Sequence, residues 1–239
     1  MQVWLDGLFM AQPFYMEYEK KYGTREGCKD SVHQFGIVEK RMKDPKTGLY
    51  FHGYDSVKKM FWADKETGLS KNFWLRALGW FTLALTDTIE RMPEDMAAEK
   101  AEMTRIFKNL IDDLLPWQHE SGMFYQIINV TDDPRNYLET SGTMLIASGI
   151  LKGVRLGLLP AEYRQYGEKA FYGTAERYLK QDEDGTLTLG GICLVAGLGP
   201  DKDPRRDGTL DYYFSEPVVV HEAKGVAPMI LAYTELIRK

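Results

Sequence analysis

The chain has 239 residues, 44% of them hydrophobic, and a formal net charge of -5 with a pI near 5.5, which suits a buried globular core and argues against disorder. Its Lys and Arg residues are scattered, so no positive field for nucleic acid exists, and with no run of eighteen apolar residues and no signal-peptide pattern the expectation is a chain with no membrane partner. Cys28 and Cys193 are neither metal-spaced nor a disulfide framework, so both are expected as free thiols in a reducing, cytoplasmic setting.

The first predicted element spans residues 4–22 and opens on Trp4, Leu5, Asp6, Gly7, Leu8, Phe9. Asp6 stands where two effects oppose each other. A helix N-terminus favours its ionised form, while neighbouring aromatic rings desolvate it and favour a proton. Taken alone, an Asp there is as well explained as a cap or dipole partner. Residues 26–43 follow as a more polar amphipathic helix, then a turn, Asp44 to Tyr50, of the form turn residues, Gly, apolar residue, aromatic.

The pattern then repeats. Residues 73–92, 137–158 and 219–237 resemble 4–22: each opens with an acid or Arg beside an aromatic or apolar residue, then runs apolar and small. Residues 94–115 and 161–179 carry charges on one face and apolar residues on the other, as outer partners should. Turns of the same kind recur at 119–125, 184–187 and 207–210, each followed by a few extended residues. Four apolar inner helices with about three polar outer partners predict an all-α array of helix hairpins that forms part of a ring. Residues 1–239 are expected as a single domain.

Six runs, in order, carry a resemblance. They are Gln2 to Phe14 around Trp4-Leu5-Asp6-Gly7; Gly48 to Asp55 with His52; Phe73 to Trp80 with Trp74 and Arg76; Leu138 to Thr143 with Glu139; the glycine-rich Gly190 to Gly199; and Tyr213 to Val218. Together they resemble glycoside hydrolase family 105, the unsaturated rhamnogalacturonyl hydrolases, with the unsaturated glucuronyl hydrolases of family 88 as relatives. The resemblance implies an all-α (α/α)6 toroid of helix hairpins with its active site at one end, incomplete here with about four of six hairpins present, and places this chain as the C-terminal two-thirds of that barrel.

The same resemblance makes Asp6 the general acid. Its substrate would be a 4,5-unsaturated uronyl oligosaccharide left by a polysaccharide lyase, most simply from pectin. Protonation at C4 of the enol ether, addition of water at C5 and opening of the hemiketal release the remaining sugar. One carboxyl group can serve throughout, unlike the carboxylate pair of ordinary glycosidases. Asp6 would then have to hold a proton part of the time, which requires burial to outweigh the helix dipole. His52 matches a histidine that contacts substrate near the reacting ring.

Arg76 is the candidate receptor for the uronate carboxylate, which suits a planar bidentate donor, with Trp74 and Trp4 as stacking faces. Glu139 is either a binding residue or the cap of its helix. Gly190 and Gly191 allow close backbone approach to a ligand, or simply a tight turn. No cofactor is implied, and His33, His119 and His221 show no metal spacing.

Two departures stand out. The family also draws an aspartate and other binding residues from helices preceding the Trp-x-Asp-Gly motif, and His221-Glu222-Ala223-Lys224-Gly225 replaces an Asn-Asp pair usual before that Lys-Gly. Rival readings are a hydrolase of glycosaminoglycan-type unsaturated glucuronyl fragments, and a catalytically incomplete scaffold. A missing hairpin would bare inner-helix surface, so a homodimer covering that edge is expected.

Overall fold

The computed structural model describes residues 2–238. Four helices form an inner layer in which each packs on the next: α1 (Leu5–Tyr22), α3 (Leu75–Arg91), α5 (Thr140–Arg155) and α8 (Ala223–Ile237). Outside them lie α2 (Arg25–Met42), α4 (Ala97–Leu114) and α6 (Arg164–Tyr178), each packed on the inner helix before it. A short helix, α7 (Leu210–Ser215), completes the set among the described residues. The all-α hairpin arc is thus as expected, with four inner helices and three outer partners.

Burial follows position in the arc. In α3, 13 of 17 residues are buried, and in α5, 14 of 16, because each has an inner neighbour on both sides. At the ends, α1 buries four of its 18 and α8 five of its 15. Small residues let the central pair approach closely. A Cβ on Gly142 would stand 2.5 Å from Leu75 Cγ, and one on Gly79 would stand 2.6 Å from Leu145 Cβ. That closeness sets Arg76 of α3 beside Ser141 of α5.

The predicted starts of the inner helices need correcting. Trp4, Phe73 and Trp74, residues 137–139 and residues 219–222 precede their helices and are not helical. Each enters extended and pairs with a neighbouring loop before the helix begins. Strand β1 (Gln2–Trp4) pairs antiparallel with β2 (Gly53–Asp55), Trp74 bridges Ile127, and Leu138 bridges Tyr125. Later, β3 (Leu179–Gln181) pairs with β4 (Leu187–Leu189), and β5 (Ile192–Cys193) pairs with β6 (Val218–Val219) just before α8. Backbone groups left over at helix starts must find partners, and these loops supply them.

The turns expected at 44–49 have an unpredicted twin at 64–69. Asp44 accepts from the Thr47 backbone N–H and hydroxyl, and Asp64 does the same for Thr67; Gly48 and Gly68 take φ of +76° and +82°. The shared Asp-x-x-Thr-Gly-Leu wording was the available signal. These turns clamp the segment that carries His52.

Glu139 shows what fixes the α5 start. Its carboxylate accepts from the backbone N–H of Ser141 (3.0 Å), Gly142 (2.7 Å) and Cys193 (3.0 Å), and from the Ser141 hydroxyl (2.6 Å), with no exposed surface. Three backbone donors would be orphaned by Glu139→Ala, which is expected to cost about 3 kcal/mol. In a chain of this size that lowers Tm by roughly 6–12 °C, read by thermal denaturation. Glu139→Gln, which keeps an acceptor oxygen, should recover part of the loss.

Candidate active site

The N-terminal ends of the inner helices meet the loop belt, and there the predicted residues gather. The register that pairs Trp4 with Gly53 brings Leu5 N–H to the His52 carbonyl at 3.2 Å, so Asp6, one residue into α1, lands beside the imidazole. His52 Nε2 lies 3.2 Å from Asp6 Oδ2. The pair has ion-pair distance but not hydrogen-bond alignment, and both atoms are buried without a hydrogen-bond partner among the described residues. Asp6 keeps 22% of its side chain exposed while His52 keeps none, so the acid is the reachable member.

On its other edge, His52 Nδ1 is 2.6 Å from the Tyr213 hydroxyl. Burial pushes the Tyr213 phenol well above its ordinary range and keeps it neutral. A neutral hydroxyl can donate to Nδ1 or accept from it; when it donates, the ring proton is on Nε2 and faces Asp6. The imidazole is also enclosed by rings: Trp4 meets it edge-on at 5.6 Å, Trp74 tilts over it at 4.8 Å, and Trp74 stacks on Tyr213 at 6.2 Å. If Tyr213 orients His52, Tyr213→Phe should lower kcat/KM about tenfold with little change in Tm, the scale of one lost orienting hydrogen bond. Steady-state kinetics beside a melting curve would show it.

Arg76 lies over the ring of Trp74, its guanidinium 4.7 Å from the ring centroid. It is 1% exposed. Nη1 donates to the Ser141 hydroxyl (3.1 Å) and to the Cys193 carbonyl (2.5 Å). Among the described residues no carboxylate comes within ion-pair distance of it, although Glu139 reaches it indirectly through Ser141 Oγ. A buried cation without a paired anion is costly and uncommon. Both of these bonds leave from one nitrogen, so the rest of the fork remains for an anionic ligand.

Some residues take roles other than those the sequence suggests. Of the two readings of Glu139, the structure favours the cap: its oxygens already hold four donors, so it shapes the Arg76 surroundings instead of facing a ligand. Gly191 is explained by its φ of +67° and by Tyr178, whose ring would lie 2.4 Å from an added Cβ. Gly190 accepts the Thr140 hydroxyl through its carbonyl at 2.7 Å. Through their carbonyls both glycines tie the turn before β5 to Thr140 at the start of α5.

Tyr213 and Gln126 also belong to the site, and sequence reasoning does not pick them out. Gln126 accepts the Trp74 indole N–H at 3.2 Å, holding that ring in place. Tyr213 lies within a matching run, which was its signal; Gln126 had none. Cys193 and Cys28 are free and buried, and burial pushes the Cys193 thiol up to about 11, which removes it as a nucleophile. Among the described residues no three His, Cys, Asp or Glu side chains gather to hold a metal ion, and no helix is long and apolar enough to cross a membrane.

Known proteins resemble this chain in sequence and in fold. The profile of Glycosyl Hydrolase Family 88 matches residues 1–239. The protein Atu3128 of Agrobacterium fabrum is 38% identical over 231 residues, covering 95% of this chain and 97% of that protein. The unsaturated rhamnogalacturonyl hydrolase YesR of Bacillus subtilis is 27% identical over 191 residues, 78% of this chain and 48% of that one. Among solved structures, a family 105 glycoside hydrolase of C. acetobutylicum ATCC 824 superposes with a TM-score of 0.93 at 42% identity. That match covers 98% of this chain and 64% of the solved one, so the chain spans less than two thirds of that structure and about half of YesR.

Proposed function

The chain belongs to Glycosyl Hydrolase Family 88, and from that membership we propose that it hydrolyses 4,5-unsaturated uronyl oligosaccharides of the kind pectin or rhamnogalacturonan lyases release. The supporting observation is a partly exposed Asp6, 3.2 Å from a fully buried histidine, in an aromatic pocket that also holds an unpaired arginine. In this reading the uronate carboxylate lies on the free side of Arg76 and the unsaturated ring lies against the partly exposed Trp4, with buried Trp74 holding Arg76 and His52 in place.

Asp6 delivers its proton to C4 of the enol ether, and the C4=C5 electron pair forms the new C4–H bond. The positive charge at C5 is shared with the ring oxygen. Water adds at C5, Asp6 as carboxylate takes its proton, and the acid is restored. The C5 hemiketal then opens, its C5–O ring bond breaking to give a C5 ketone and a C1 hemiacetal, and that hemiacetal collapses to a C1 aldehyde as the C1–O glycosidic bond breaks and the remaining sugar leaves as an alcohol. His52, held by Tyr213, places its Nε2 edge 3.2 Å from Asp6 Oδ2, where a ring proton would favour the carboxylate once Asp6 has given up its own.

The continuous inner layer of four helices supports reading the chain as one domain, the C-terminal two-thirds of a six-hairpin toroid. Two buried free thiols support a cytoplasmic setting. Besides oligosaccharide, the partner in this reading is a second copy of the chain on the apolar edges of α1 and α8.

The test is incubation with unsaturated galacturonyl-rhamnose and with an unsaturated glucuronyl disaccharide of glycosaminoglycan type, following loss of the enol ether's ultraviolet absorbance. Faster loss with the first is expected. Preference for the second moves the substrate to the glucuronyl class, and no loss with either supports the scaffold reading.

A further inference from the structure

Residues 194–209 link β5 to α7 as a loop with neither helix nor strand. Two ties fix it beside the site. Gly197 N–H donates to the Tyr212 hydroxyl at 2.9 Å, one residue from the Tyr213 that holds His52. Leu198 joins Trp62 and Ala63 in a small buried cluster against which Trp4 packs.

The loop carries two consecutive arginines with different surroundings. Arg205 is engaged on two sides: Nη2 donates at 3.0 Å to Glu216, a carboxylate only 3% exposed, and the guanidinium stands 5.3 Å from the Tyr212 ring centroid. Arg206 has other neighbours. A Cβ on Gly197 would meet Arg206 Nη1 at 3.4 Å and Trp4 Cζ3 at 3.5 Å, so guanidinium and indole converge on one glycine. Asp203 Oδ2 lies 3.1 Å from Arg206 Nε but out of hydrogen-bond alignment, and among the described residues no hydrogen bond reaches Nη1 or Nη2. The side chain keeps 29% of its surface exposed. Trp4 therefore has the His52 imidazole against it at 5.6 Å and, by way of Gly197, a cation with two uncommitted nitrogens.

We propose that Arg206 is a specificity residue for the leaving chain: its Nη edge binds the carboxylate of a second uronic acid, so that acidic leaving sugars are preferred over neutral ones. The proposal rests on the hydrolase reading for the place of the unsaturated ring. In that placement C4 meets Asp6, and C1, which lies opposite C4 across the ring, is turned away from the acid. Arg76, 1% exposed, closes the inner end, so the sugar carried on C1 extends outward along the partly exposed Trp4, where Arg206 stands. A guanidinium edge matches a planar carboxylate with two parallel N–H donors, a fit that a neutral hydroxyl-bearing sugar cannot reproduce. Asp203, on Nε, orients the fork and leaves that edge open.

The test compares unsaturated digalacturonate, whose leaving sugar carries a carboxylate, with unsaturated galacturonyl-rhamnose, whose leaving sugar is neutral. Both are run on the 239-residue chain, on Arg206→Gln and on Arg206→Lys. Calorimetry with the saturated forms of the two disaccharides reads affinity without turnover. Arg206→Gln is expected to raise KM on the digalacturonate about tenfold while kcat moves by no more than about twofold, the scale of one charge-assisted hydrogen bond at a partly exposed site. The preference for the acidic leaving sugar should fall by the same factor, and Arg206→Lys should recover part of it. High salt should shrink the preference of the wild type. An equal loss on both substrates overturns the proposal, because Arg206 would then only hold the loop, and so does a variant with the wild-type preference. Selective loss of affinity for saturated digalacturonate in a chain that turns over neither substrate keeps Arg206 as a carboxylate site and overturns the hydrolase reading. Neither turnover nor selective loss overturns both.

Discussion

Asp6→Asn is expected to lower kcat on an unsaturated galacturonyl disaccharide by about 10²–10⁴-fold, the span typical for removal of a general acid or base. The amide matches the carboxyl in shape but has no proton to give to C4 and no charge to take one from the attacking water. KM should change little, because the proposed substrate contacts come from Arg76 and Trp4. Fold should be nearly unaffected. Asp6 is partly exposed and accepts no capping hydrogen bond in α1, so the substitution loses only a first-turn dipole interaction of about 0.3–1 kcal/mol. Circular dichroism and a melting curve beside the kinetics separate the two effects. An Asn variant that keeps more than a tenth of wild-type kcat would remove Asp6 from the chemistry.

That the acid was legible in the sequence, while its surroundings were only partly so, has a physical basis. Helical periodicity depends on local spacing, so the inner and outer layers were readable within a few residues. The helix starts were not, because Trp4, Trp74 and Leu138 are held extended by pairing with loops distant in sequence. Asp6 and His52 were each visible as motif residues, but their 3.2 Å separation depends on the β1 to β2 register. Tyr213 is 161 positions from His52, a separation over which no local pattern carries information. Glu139 had two readings in sequence, and the Cys193 N–H arriving from the β5 hairpin completed the set of donors that makes it a cap.

Arg76 allows the substrate to be tested separately from the acid. Arg76→Lys keeps the positive charge and the Trp74 neighbour but replaces the planar fork with a point charge. On the free unsaturated uronate, kcat/KM is expected to fall about 10²-fold, within the range for truncating one partner of a buried hydrogen-bonded charge pair. Lys also gives up the geometry that reaches Ser141 and the Cys193 carbonyl, which loosens the α3 to α5 contact and lowers activity by a second route. The methyl ester of the same substrate distinguishes these causes. It carries no anion for the guanidinium, so the wild type should process it about 10²-fold less well than the acid, and Arg76→Lys, which keeps a cation without the fork, should narrow that ratio. A loosened fold would depress both substrates equally and leave their ratio at the wild-type value, and that result would take the carboxylate away from Arg76 while leaving Asp6 its proton transfer.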